Sequence, residues 1–319
     1  MKKLATGLFA ALLCITTTGC QPNSSEYFTD DTPTTLELSS NHLRIMQLTD
    51  LHMMFGIGAK DTKTLDLITA LAKETDPDLI YITGDMSMTT IGPILFGQLY
   101  NHMESLDIPW TFVFGNHETM YNSYDKYLSQ LADKEDDNLL FKVGPELDNG
   151  GRGNYIIEAT YNDVPFYNIY GMDSKDQSNG VYEYDYFSEA QVDWYSTHAA
   201  QDAIDGVNNV AFMHIPLKQY EEYADYTLID GQMGEDKVYS QGLDTGIFDA
   251  MVSNGVTKGV FCGHDHLSDF SFIKDGVMLA YGRCTGYNAY GTLTRGARII
   301  DIDSNKNLTS HVIDASEVA

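Results

Sequence analysis

The sequence predicts an α/β fold in which two β-sheets pack as a sandwich flanked by helices. Three observations lead there. Residues 43–118 alternate short apolar runs with amphipathic stretches, and this β-α-β-α-β rhythm gives a sheet with helices on its faces. The second half is richer in strand-like runs, with one clear helical pattern near 188–201. After residue 42 there is no internal repeat and no second linker, so residues 42–319 read as one domain.

The elements follow in chain order. The chain begins MKKLATGLFAALLCITTTGC, with Lys2 and Lys3 ahead of an apolar core, Leu4 to Ile15, too short to span a bilayer. Small residues Thr17, Thr18 and Gly19 precede Cys20. The segment resembles a bacterial lipoprotein signal, with residues 1–19 removed and Cys20 lipidated; Thr17 departs from the usual leucine. An ordinary secretory signal is the alternative. Residues 20–41 are polar and read as a tether between membrane and domain. The expected location is therefore outside the cytoplasm, with a lipid anchor as the sole contact with the membrane.

Within the domain, "LRIMQLTD" (43–50) is a strand. Residues 61–76 place Leu65, Ile68, Leu71 and Ala72 at helical spacing, with Asp61 as N-cap. "DLIYITGD" (78–85) is the second strand, 92–107 a helix, and "PWTFVFGNHE" (109–118) the third strand. Beyond them "GNYIIEAT", "VPFYNIYGMD", "NVAFMHIP", "TKGVFCGHDH", "FSFIKDGVMLAYG" and "ARIIDID" read as strands.

Composition narrows the function classes. Hydrophobic residues at 43 % with 12 % aromatics supply a globular core. The formal charge of −27 disfavours a nucleic-acid polymer as partner, because phosphate backbones are bound by basic surfaces. Of four cysteines, Cys14 and Cys20 fall in the N-terminal segment, leaving Cys262 and Cys284 either to pair or to remain packed thiols. Oligomeric state is not legible.

The chemistry lies where strands stop. The first strand ends in Asp50-Leu51-His52, the second in Gly84-Asp85, and the third in Gly115-Asn116-His117-Glu118. "NVAFMHIP" delivers His214, and "GVFCGHDH" delivers His264 and His266 around Asp265. In an extended segment, residues i and i+2 point the same way, so His52 with Asp50, and His264 with His266, are expected to share a side. Ligand sites of open α/β folds lie beyond the carboxyl ends of strands, so these groups can meet at one edge. Five of the nine histidines fall there; His42, His102, His198 and His311 do not.

In order, D-x-H, G-D, G-N-H-E, a strand-ending His and G-H-x-H resemble the calcineurin-like metallophosphoesterase signature. The tail "YGRCTGYNAYG" followed by "ARII" resembles the purple-acid-phosphatase-like branch, with one departure. The tyrosine expected three residues after the G-D aspartate is Met88 here, and the resemblance implies His52 as a ligand instead. A colourless di-metal centre is expected rather than a purple iron centre.

The resemblance implies a four-layer fold and two metal ions, Mn, Fe, Zn or Co. One ion is held by Asp50, His52, Asp85 and His266. The other is held by Asn116, His214, His264 and the bridging Asp85. A hydroxide between the ions is the implied nucleophile on a phosphorylated substrate. His117 is expected to contact the phosphate or protonate the leaving oxygen. Glu118 either orients His117 or serves structure, and Asp265 supports the ligands from behind.

The expected activity is phosphomonoester hydrolysis. The alternatives are a phosphodiesterase on cyclic nucleotides or phospholipid head groups, and a metal-binding surface lipoprotein without catalysis. "DNGGRGN" (148–154) reads as a turn whose Arg152 has some reach toward a phosphate. The aromatic run 181–187 and Tyr287, Asn288 and Tyr290 are candidates for the pocket rim.

Overall fold

A computed structural model describes residues 28–132, 134, 138–176 and 180–318. The signal, Cys20 and the first part of the tether lie outside them. The elements run β1 (Thr34–Glu37), β2 (Leu43–Leu48), α1 (Ala59–Thr75), β3 (Leu79–Thr83), α2 (Gly92–Glu104), β4 (Trp110–Val113), α3 (Asn116–Tyr121) and α4 (Tyr124–Leu128). Then come β5 (Tyr155–Tyr161), β6 (Val164–Gly171), α5 (Glu189–Asp205), β7 (Asn208–Phe212), a 3₁₀ segment (Lys218–Asp225) and α6 (Ile247–Asn254). The chain closes with β8 (Thr257–Cys262), β9 (Ser271–Lys274), β10 (Val277–Tyr281), β11 (Gly296–Ile302) and β12 (Leu308–Asp314).

The strands form two sheets, a seven-stranded one in the order β1-β5-β6-β7-β8-β10-β9 and a five-stranded one in the order β12-β11-β2-β3-β4. The central strands are largely apolar because both faces are covered. Leu43, Ile45, Leu79, Tyr81 and Ile300 pack across the sandwich on Ile157, Ile169, Val210, Phe212 and Phe261. Tyr81 stacks on Phe212 there, with ring centres 3.9 Å apart. The outer face of the small sheet takes Ile68 and Leu71 of α1 and Leu95, Phe96 and Leu99 of α2. That of the large sheet takes Trp194 and Tyr195 of α5 and Phe248 and Met251 of α6. The result is four layers: helices, sheet, sheet, helices.

Several boundaries differ from expectation for local reasons. Residues 34–37, placed in the tether, form β1 on the edge of the large sheet, pairing with β5. Leu36 and Leu38 are each only 4 % exposed. Asp31 holds the same segment onto α5 by accepting from Trp194 Nε1 at 2.8 Å. The ordered domain therefore starts before residue 42. Asp61 is not the N-cap of α1, which begins two residues earlier after Gly58. Its buried carboxylate instead accepts backbone N–H groups of Met54, Phe55 and Gly56. "FSFIKDGVMLAYG" splits into the hairpin β9–β10, because Asp275 and Gly276 both adopt positive φ, the geometry of a tight two-residue turn. Strand three stops at Val113, and the G-N-H-E residues open α3. Cys262 and Cys284 are buried free thiols. Among the described residues no helix is long and apolar enough to cross a membrane.

Candidate metal centre

Strands β2, β3 and β4 are parallel neighbours in one sheet, and β7 and β8 are parallel neighbours in the other. All five end at the same side of the sandwich. The segments that follow carry Asp50 and His52, Asp85, Asn116 and His117 at the start of α3, His214, and His264 and His266. One polar link between the sheets near this edge is made by Gln47, whose Nε2 donates to Thr83 Oγ1 and to the Cys262 carbonyl.

Convergence is achieved by turning the backbone, not by strand alternation. Asp50, His52, Asp85 and His264 all sit at left-handed φ, between 46° and 83°. The strands have already ended at Leu48, Thr83 and Cys262. The i, i+2 expectation places Asp50 and His52 in one group, as found, but His264 and His266 fall in different groups. Non-glycine residues rarely adopt this conformation, and its concentration at one site is characteristic of functional loops. Gly84 and Gly115 let two of these loops touch. A Cβ on Gly84 would lie 2.7 Å from His214 Nδ1 and 2.8 Å from Gly115 Cα.

The side chains form two groups that share Asp85. Ligand atoms of Asp50, His52, Asp85 and His266 lie within 4.8 Å of one another, as do those of Asp85, His214 and His264. In the first group His52 Nε2 and His266 Nε2 face each other at 2.9 Å, and His266 Nε2 is 3.3 Å from Asp50 Oδ1. In the second, His214 Nε2 lies 3.2 Å from Asp85 Oδ2, 3.0 Å from Asn116 Oδ1 and 3.3 Å from His264 Nδ1. His214 Nδ1 donates to the Thr83 carbonyl at 2.7 Å, which leaves Nε2 free to bind a cation.

Charge and burial agree with that use. Burial pushes the His52 and His264 pKa values down to about 3, keeping both imidazoles neutral. Burial also opposes charge on Asp50, yet the His266 ring beside it outweighs this and holds its carboxyl well below the usual range. For His214 burial disfavours the proton, but Asp85 overrides it and lifts the pKa to about 10. The attraction that holds a proton there would equally draw a metal ion. Asp50 Oδ1, buried and without a hydrogen-bond partner, points to the same use. The donor set of imidazole, carboxylate and amide oxygen fits Mn, Fe, Zn or Co and not calcium.

His117 stands beside this cluster without joining it. Its backbone N–H donates to Asp85 Oδ1 at 2.9 Å, its Nε2 is 3.8 Å from Asp85 Oδ2, and its ring lines the open pocket. Glu118 takes the structural of its two expected roles. Its carboxylate accepts from the backbone N–H groups of Asp85 (3.1 Å), Ser87 (3.0 Å) and Gly115 (2.7 Å), tying the second and third strand ends together. Burial and the Asp85 charge push its pKa up to about 8, against the pull of the Ser87 and Gly115 N–H groups. Asp265 accepts from Tyr281 Oη (2.6 Å) and Tyr239 N (3.1 Å), and burial raises its pKa to about 7.

Met88, in the place of the expected tyrosine, lines the pocket, as do Tyr184, Asn288 and Tyr290. Tyr287 instead packs under Lys63, and Arg152 stacks on Phe28, away from the ligands. Glu235 and Tyr239 also line the pocket and were not singled out from the sequence. They lie in an irregular stretch between the 3₁₀ segment and α6, where no periodicity marks them.

A two-sheet α/β sandwich carries, at its joined strand ends, two candidate metal-ligand groups that share the Asp85 carboxylate. The calcineurin-like phosphoesterase family model matches residues 43–268, and the chain belongs to that family. It is 25 % identical over 321 residues to probable inactive purple acid phosphatase 14 of Arabidopsis thaliana, covering 85 % of this chain and 77 % of that one. It is 27 % identical over 322 residues to phosphatase DCR2 of Saccharomyces cerevisiae, covering 85 % and 53 %. In fold it is similar to a dimetal phosphatase from Danio rerio, with TM-score 0.56 and 11 % identity, over 85 % of this chain and 98 % of that one. The purple acid phosphatase PPD1 of yellow lupin gives TM-score 0.52 at 12 % identity, over 88 % and 53 %.

Proposed function

We propose that the protein hydrolyses phosphoric esters, phosphomonoesters first, with two bound metal ions. The observation that carries this is His117. A complete ligand set would serve storage or structure alone, but a histidine that lines the pocket beside the cluster, held by its own N–H on Asp85, adds a proton donor that binding does not need.

Asp50, His52, Asp85 and His266 would hold one ion, and Asn116, His214 and His264, with Asp85 between, the other. When bound, such a pair screens phosphate charge and makes hydroxide available near neutral pH. The chain's own residues do the rest. Asp85 keeps the two halves of the site in register. His117 orients the phosphate and passes a proton to the leaving oxygen. The Arabidopsis relative is named inactive and the yeast relative a phosphatase. Here all seven proposed ligands and His117 gather at one site, which supports activity.

One observation favours a diester as the second reading. No lysine or arginine lines the pocket among the described residues, so a monoester's extra negative charge would meet only the metals and His117. The test is a panel of monoesters and diesters assayed with Mn, Fe, Zn and Co. Turnover of monoesters above diesters supports the first reading, and the reverse order supports the second. No turnover with two ions bound would leave a metal-binding protein.

A further inference from the structure

The pocket over the ligands has walls that hydrolysis alone does not require. It is an open cleft of about 590 Å³, and its lining includes Tyr184, Tyr239, Tyr290, Glu235 and Asp265. The rings begin where the ligands end. Tyr290 lies over His266 with centres 4.1 Å apart, and Tyr184 stands edge-on to His264 at 4.5 Å. Tyr239 continues the wall, 6.5 Å from Tyr184. Glu235 is fixed beside them, accepting from Tyr290 Oη at 2.7 Å and from Leu267 N, next to His266, at 3.1 Å. Lys237 rests over the Tyr239 ring, 4.5 Å from its centre, but its ammonium is already paired with Glu183 at 2.9 Å.

A leaving group bearing a second phosphate or a carboxylate would meet carboxylates here and, among the described residues, no lysine or arginine in the lining. An ammonium group would meet the opposite: three tyrosine rings lining the pocket and a fixed carboxylate. We infer that this wall is a leaving-group subsite for an ammonium alcohol, so that the substrates are phosphoric esters of choline- or ethanolamine-like alcohols. The inference rests on the hydrolase reading above. In hydrolysis the phosphorus–oxygen bond to the alcohol breaks, the oxygen of water bonds to phosphorus, and the alcohol leaves with a proton. The ammonium group is carried unchanged, so the wall holds it in ester and product alike.

The test compares phosphocholine with dimethylbutyl phosphate, in which carbon replaces the quaternary nitrogen. A cation over aromatic rings beside a partly exposed carboxylate should give about a tenfold preference in kcat/KM for phosphocholine. Glu235→Gln keeps an oxygen for Tyr290 and Leu267 and should move the ratio toward one; Tyr239→Leu should do the same through the rings. Vesicles of phosphatidylcholine against phosphatidylglycerol form the lipid arm: a preference confined to vesicles assigns a lipid source, and one confined to the soluble pair a free ester. A ratio near one in both arms, or a ratio unchanged in both variants, overturns the subsite. If no ester is turned over, the hydrolase reading fails instead. Calorimetric binding of phosphocholine and dimethylbutyl phosphate to the manganese-loaded protein then decides the subsite, and equal affinities overturn it.

Discussion

His117 and its neighbour Asn116 lie on one turn of backbone and take different work. Asn116 turns its amide oxygen to His214 Nε2, while the His117 ring lines the pocket. Replacing His117 with Asn should leave metal content unchanged and lower kcat by about 10²–10⁴-fold on alkyl esters, the usual contribution of a general acid. An aryl ester such as nitrophenyl phosphate leaves without protonation and should lose less. Elemental analysis beside the two rates checks this. Equal losses on both esters would reduce His117 to positioning the phosphate, and loss of an ion would make it a ligand.

At the scale of elements, the site is a set of strand ends held in contact by loops. Glu118 is the staple between two of them. Gln offers one carboxamide oxygen where the carboxylate accepts three N–H groups, and its own NH₂ would face a donor. Glu118→Gln should therefore lower stability by about 1–3 kcal/mol, read as a lower Tm in thermal unfolding. An unchanged Tm with reduced turnover would restore the role of orienting His117. Much of this level was legible in the sequence. The apolar runs of β2, β3, β4, β7 and β8 and the polar residues after them showed which side chains meet. The left-handed turns at Asp50, His52, Asp85 and His264 were not legible, because aspartate and histidine adopt them far less often than glycine and so mark them only weakly. The pocket wall was only half legible: Tyr184 and Tyr290 sit in aromatic stretches, whereas Glu235 and Tyr239 lie in a loop whose place is set by contacts distant in sequence.

For the whole molecule, the edge of the large sheet shows how composition can mislead. "TPTTLELSS" is polar enough to read as a tether, yet its two leucines alternate and are buried in the sandwich. Leu36→Ala should cost about 2 kcal/mol, at the low end for a buried leucine because β1 is an edge strand, and a urea titration would measure it. A cost near zero would return the segment to the tether. The proposed lipid anchor lies further upstream. Cys20→Ala should move the protein from the membrane fraction to the soluble one with turnover intact, and retention on membranes with normal export would refute it.

The division of ligands between the sheets has a mechanical side. Asp50, His52, Asp85 and Asn116 hang from the small sheet, and His214, His264 and His266 from the large one. An ion bound by either group is a rivet through the seam of the sandwich. Its binding free energy counts toward keeping the sheets together, by about 2.7 kcal/mol at a hundredfold excess over Kd. Chelation should therefore lower Tm, and amide exchange should quicken first at Thr49, Thr83 and Gly263, where the seam closes. Metal-loaded protein should also resist added protease longer than chelated protein, because the riveted seam opens less often.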